Sequence, residues 1–139
     1  MRIELFTVDE ANKLANEIRP RLERLVMKKR EFDRLERRMD ILLVATSGAA
    51  PENPDTLELR SLEEKRRRLG ESIGKGVQEL TAKGVLVKDL DRGLVDFYSL
   101  KGDQLVFLCW QVQEPEVNHW HALEDGFSGR QQIKEAGLE

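Results

Sequence analysis

The sequence predicts an α+β fold: a long antiparallel helical hairpin, coiled-coil-like, carrying a small antiparallel β-sheet of three to four strands at its open end. Three observations lead there. Apolar residues recur at alternating steps of three and four over residues 8–83, the spacing that puts them on one side of a helix. That period ends at Gly84, after which short apolar runs alternate with turn residues such as Asp91-Arg92-Gly93 and Lys101-Gly102-Asp103. Only a short loop joins the two helical stretches, so they fold back on each other.

Taken in chain order, Arg2 to Thr7 reads as a short strand. Thr7-Val8-Asp9-Glu10 is a capping box, in which the threonine and the glutamate three residues on each satisfy a free backbone N–H, so a helix starts at Val8. Its two apolar series are Ala11, Ile18, Leu25, Phe32, Met39 and Leu14, Arg21, Lys28, Leu35, Leu42. Pro20 lacks an N–H and crowds the preceding turn, which predicts a kink or break near residues 16–20. Ser47-Gly48 ends the helix. Asn53-Pro54 starts the second one with an N-cap and a proline at the first helical position. Its stripe is Leu59, Leu62, Arg66, Leu69, Ile73, Gly76 and Leu80, and Lys83-Gly84 closes it. With the turn centred between residues 50 and 51, seam positions meet in pairs such as 42 with 59, 32 with 69 and 25 with 76. Arg21, Lys28 and Arg66 on the seam then fix register or sit at its edge.

Strands follow at Val85–Leu90, Leu94–Ser99 and Gln104–Val112. The third is apolar on both faces, which is the mark of a central strand covered on both sides. Val117–Leu123 is a fourth strand or a short helix. The chain is read as one domain over residues 1–139: hairpin 8–83, sheet 2–7 and 85–123, and a C-terminal tail 124–139.

Composition narrows the function. Hydrophobic residues make up 40% and charged residues 35%, enough apolar content for a core and enough charge for long solvated helices. Net charge is +2 over residues 1–47, zero over 48–84 and −5 over 85–139, so no global basic field for nucleic acid exists. A single cysteine, Cys109, allows no intrachain disulfide, and no segment approaches the ~18 apolar residues of a membrane span; a cytoplasmic location is the expectation.

Several motifs bear on chemistry. Gly70 to Gly76 departs from the phosphate-loop spacing and follows no buried strand, so nucleotide binding is not expected. Arg37, Arg38, Arg66, Arg67 and Arg68 gather midway along the paired hairpin. They offer a nucleic-acid contact as an alternative, although interspersed acids favour a solvated face. His119-Trp120-His121 places both imidazoles on one face of a strand, but spacing alone supports no metal, and neither a metal nor a cofactor is expected. Cys109 between Leu108 and Trp110 reads as a buried, unreactive thiol rather than a nucleophile for His121. Gly126-Phe127-Ser128-Gly129-Arg130 is a loop in which Arg130 either clips an acid such as Glu114, Glu124 or Asp125 or binds an anion. A ligand site, if present, comprises Glu114, His119, Trp120, His121, Asp125, Phe127 and Arg130.

Leu108-Cys109-Trp110, Glu114, Trp120-His121 and Gly126-Phe127-x-Gly129-Arg130, with Phe6-Thr7-x-x-Glu10-Ala11-Asn12 and Val95-Asp96-Phe97, resemble a small bacterial family catalogued only as a domain of unknown function, family number 2203. The resemblance covers most of the chain and implies no activity. The family pattern carries glycine before the glutamate and an aromatic where His119 stands; this chain has Gln113 and His119. The reading favoured from the sequence is therefore an interaction or scaffolding module rather than an enzyme, self-associating as a homodimer through apolar residues off the seam: Leu22, Val26, Leu43 and Val44. A small-anion or small-ligand binder or enzyme centred on His121 and Arg130 is the first alternative, and a nucleic-acid-associated hairpin the second.

Overall fold

The computed structural model describes residues 3–133. Helix α1 spans Val8–Ala45 and α2 spans Pro54–Ala82. Strands β1 (Leu86–Asp89), β2 (Leu94–Lys101), β3 (Gln104–Gln111), β4 (His119–Ala122) and β5 (Gln131–Gln132) form one antiparallel meander in the order β1-β2-β3-β4-β5. The sheet thus has five strands, one more than the upper expectation. The extra one is a two-residue edge within the tail, paired to β4 through His119–Gln132 and Trp120–Gln131. Val117–Leu123 resolves as strand β4, not a helix.

The capping box at α1 forms as expected: Glu10 N–H donates to Thr7 Oγ1 at 3.1 Å and Thr7 N–H to Glu10 Oε1 at 2.9 Å. Two expectations fail upstream and downstream of it. Residues 3–7 are not a strand; Phe6 makes one backbone bond, N–H to Tyr98 O at 2.8 Å, and Ser99 Oγ donates to its carbonyl at 2.6 Å. They lie beside β2 past the end of β1, where Gly84 (φ 92°) leaves room for the Phe6 ring. Met1 and Arg2 lie outside the described residues. Of the kink or break expected near residues 16–20, the break is absent: α1 runs unbroken through Pro20. Pro20 is exposed to solvent. Ala15, Ile18, Leu22 and Leu25 are buried on either side and carry the helix on through the lost hydrogen bond.

The main core lies where the open end of the hairpin meets the sheet. Ala11, Ala15, Ile18, Leu22 and Leu25 of α1 and Leu80 of α2 pack on Val95, Phe97, Val106, Leu108, Trp110 and Trp120. Small residues at 11 and 15 let the helix approach the sheet closely. Leu22 and Val26, expected to be free for a partner, are instead 0% and 6% exposed. They turn toward the chain's own sheet, Val26 reaching Gly93 at the β1–β2 turn. Among the described residues, both long helices lie on one face of the sheet. β3 is central and buried on both faces, as expected, and on its second face Tyr98 of β2 and Lys88 of β1 lie over Phe107.

The hairpin pairs in the expected register. Phe32 lies against Gly70, Lys28 Nζ donates to Ser72 Oγ at 2.7 Å, and Met39 and Leu42 form a second small core with Leu59 and Leu62. Of the seam residues, Arg21 is exposed and Arg66 reaches Glu36 at 3.9 Å, so both sit at the edge of the seam. Gly70, Gly74 and Gly76 all lie inside α2, not in a phosphate-binding loop.

A methyl group at Gly76 would stand 2.5 Å from Leu25 Cδ2, whereas at Gly74 it would meet nothing within 4 Å. Gly74→Ala should therefore raise stability by about 0.5–1 kcal/mol through helix propensity alone. Gly76→Ala should lose that gain to overpacking that costs about 1–3 kcal/mol, for a net loss of up to ~2 kcal/mol. Urea midpoints of the two variants check this, and equal shifts would show that the helices do not touch at Gly76.

Candidate functional site

The sheet face turned away from the helices carries the ionisable residues. Alternation puts Asp96 and Tyr98 of β2, Phe107 and Cys109 of β3, and His119 and His121 of β4 on that face, with Asp96 paired to Cys109, Cys109 to His119, and Phe107 to His121. Aromatic contacts cover it: Tyr98 and Phe107 ring centroids lie 4.8 Å apart, Phe107 and His121 5.4 Å, and Lys88 Nζ sits 4.7 Å above the Phe107 ring.

Two polar groups stand there. In the first, Arg130 Nη2 reaches Glu114 Oε2 at 2.5 Å and also contacts His119 Nδ1. The Arg130 side chain is 10% exposed. Glu114 is also held by its own turn: its Oε1 accepts Gln111 N–H at 2.8 Å and its carbonyl accepts Trp110 Nε1–H at 3.1 Å. Arg19 of α1 donates to the carbonyls of Val112 at 2.5 Å, Glu114 at 3.1 Å and Pro115 at 3.1 Å, and lies over the Trp110 ring. The 3₁₀ turn Phe127–Gly129 stacks Phe127 against the Arg130 guanidinium, centroid to Cζ 4.8 Å. The expected clip to an acid of this chain thus exists, and Glu114 is that acid. It is held by a single nitrogen rather than bidentately, and Arg130 Nε is buried with no partner among the described residues.

Because a guanidinium can only donate, His119 Nδ1 accepts and the imidazole is neutral. Burial, then the positive charge of Arg130, hold its pKa below the ordinary histidine value, with Glu114 opposing. The 3.6 Å approach of Nδ1 to Glu114 is accordingly not a charged pair.

The second group is Asp96, Cys109 and His121, all buried. His121 Nε2 lies 3.1 Å from Asp96 Oδ2, and its Nδ1 donates to Ala122 O at 2.8 Å. Burial pushes the Asp96 carboxyl up, against the pull of His121. Burial, then the Asp96 charge, push the Cys109 thiol up to about 12, so the expectation of an unreactive thiol agrees with its surroundings.

The seven residues named from sequence are therefore split. Glu114, His119, Phe127 and Arg130 come together. His121 belongs to the neighbouring group. Trp120 faces the helical side with the main core, and Asp125 is exposed beside Gly129. Asp96 was not singled out as a site residue. Its signal was there: a carboxylate between Val95 and Phe97 in an otherwise apolar strand demands a buried partner. On the hairpin, Arg38 pairs with Glu58, Arg66 with Glu36, Arg67 with Glu64 and Glu71, and Arg68 with Glu64, which neutralises much of the basic cluster. Arg67 and Arg68 hold the Glu64 carboxyl down at about 2.

Arg130→Ala should cost about 1–3 kcal/mol by stranding Glu114 Oε2, read from denaturant midpoints. The same change removes a positive neighbour from His119, so the His119 pKa followed by NMR should rise toward the ordinary value of about 6.5. A histidine whose folded pKa is depressed binds fewer protons than it does unfolded. Its effect is thus a loss of stability as pH falls through about 6.5 toward the folded value, and that loss should shrink in Arg130→Ala. An unmoved midpoint and an unmoved titration would show that the pair does not form.

No curated protein and no solved structure matches the chain. The model of one family, described as an uncharacterized conserved protein (DUF2203), matches residues 4–133. The match takes in the helical hairpin as well as both polar groups of the sheet, and the chain belongs to this family.

Proposed function

We propose that the protein is an interaction or scaffolding module that self-associates through the distal part of its helical hairpin. The observation that supports this is an arm with more apolar surface than its own seam covers. From Glu31 to Ala45, α1 extends about 22 Å past the main core, with only α2 beside it. The arm's own core is Met39, Leu42 and Leu59 with Leu62 against it, while Ile41, Val44 and Leu57 are 60%, 80% and 53% exposed. Of the 29 residues of α2, only Leu59 and Leu80 are buried. A second copy is the occupant that fits: its arm brings the same apolar side chains, and residues 48–84 have no net charge to oppose pairing. Two such hairpins side by side complete a four-helix bundle, which gives each helix the second packing neighbour it lacks.

Sedimentation equilibrium at micromolar concentration should return twice the 16.0 kDa chain mass. Val44→Glu with Leu57→Lys should return the single-chain mass with unchanged helical circular dichroism. A wild-type monomer throughout the range, or a dimer indifferent to the pair of changes, overturns the reading.

A second reading, a small-anion site beside His119 and Arg130, draws support from the buried Arg130 Nε with no described partner. Inorganic phosphate should then move the NMR signals of Arg130 Nε–H and the His119 ring, and no movement at millimolar phosphate sinks it.

A further inference from the structure

Three adjacent strands of the outer sheet face supply three different donor atoms to one point. A carboxylate oxygen of Asp96, the sulfur of Cys109 and a ring nitrogen of His121 all lie within 4.8 Å of one another. We propose that Asp96, Cys109 and His121 bind a divalent transition metal ion of the zinc class. This inference is independent of self-association.

The donor set carries the choice of ion. Thiolate, imidazole and carboxylate together suit a borderline ion such as Zn²⁺ or Co²⁺, whereas Mg²⁺ and Ca²⁺ take oxygen ligands. Two further observations point to a ligand. Asp96 Oδ1 is buried with no hydrogen-bond partner among the described residues, on a side chain 3% exposed. His121 Nδ1 faces the Ala122 carbonyl, which only accepts, so Nδ1 bears hydrogen. Nε2 is thereby turned toward Asp96, the orientation seen in metal-ligating histidines, whose other nitrogen donates to a carbonyl or carboxylate.

Distances fit with little movement. A tetrahedral ion about 2.0 Å from nitrogen and oxygen and about 2.3 Å from sulfur holds its donors roughly 3.2–3.6 Å apart. His121 Nε2 and Asp96 Oδ2 are already 3.1 Å apart. The sulfur closes the remaining gap by a shift of about 1 Å, and binding releases the thiol proton together with the proton shared by His121 Nε2 and Asp96 Oδ2. Three protein ligands leave one position for water or a small ligand. The sequence-level expectation of no metal looked to His119 and His121 together; here His119 is held by Arg130 and only His121 takes part.

The test is titration of the reduced full-length chain with Co²⁺ at neutral pH. The expected result is one Co²⁺ per chain and a thiolate-to-cobalt charge-transfer band, displaced by Zn²⁺. Cys109 is the only cysteine, so the band reports this sulfur even if a variant fails to fold. Cys109→Ala should abolish the band and weaken Co²⁺ binding at least about 100-fold, since loss of an outer-shell partner alone costs up to that much. Asp96→Asn should weaken it at least about 10-fold. His119→Ala should leave both band and affinity unchanged. No band at millimolar Co²⁺ in the folded wild type, a band that survives Cys109→Ala, or one lost in His119→Ala overturns the proposal.

Discussion

The turn at residues 111–115 is the point on which the rest of the structure depends. Its carbonyls would be open to solvent on an ordinary turn. Here three of them accept the Arg19 guanidinium, one of them also accepts the Trp110 indole, and the Glu114 side chain accepts both a backbone N–H and Arg130. The first helix, the central strand and the C-terminal tail are therefore joined through one carboxylate and three carbonyls. Charge-assisted bonds at partly buried positions are worth more than surface pairs, because solvent competes less for them. A second tie lies close by: Asn12 of α1 accepts Val117 N–H at 2.6 Å and donates to Val117 O at 3.3 Å. The segment between β3 and β4 is thus pinned to the helix at both ends, which sets where β4 begins and so where His119 and His121 stand.

That geometry gives the two faces of the sheet different work. The face toward the helices holds Val95, Phe97, Val106, Leu108 and Trp110, with the hydrophobic effect as its main source of stability. The opposite face carries Asp96, Cys109 and His121 in burial almost as deep. Ionisable groups held out of water weaken a fold unless something repays the desolvation. Asp96 has one oxygen answered by His121 and one without a partner among the described residues. Arg130 Nε on the same side is likewise unpartnered, and on the helical face Trp120 Nε1 is too.

The hairpin shows a comparable division along its length. Near the sheet, α1 is covered by α2 on one side and by strands on another, and its residues from Ala11 to Val26 include six that are buried. Past Glu31 the strands end and, among the described residues, the core of the two helices is their own. Ion pairs such as Arg38–Glu58 and Arg67–Glu64 line this part, but exposed pairs contribute little stability. Its packing rests on a handful of leucines and Met39.

Much of this was written in local pattern. The capping box at Thr7, the proline after Asn53, the hairpin register and the strands separated by Gly93 and Gly102 all follow from short-range rules of backbone geometry and apolar spacing, and the structure agrees with them. Tertiary packing decided the rest. Pro20 reads as a helix breaker, yet neighbours buried on both sides carry the helix through it, a contribution local propensity does not contain. Leu22 and Val26 read as free surface because nothing in a heptad says that a sheet lies against the helix. The histidine pair reads as one site because alternation gives the face of a residue but not its cross-strand partner. The register of three strands sets Cys109 opposite His119 and Phe107 opposite His121, and only the side-chain contacts of the folded sheet take His119 to Arg130 and His121 across to Asp96, residues far apart in sequence.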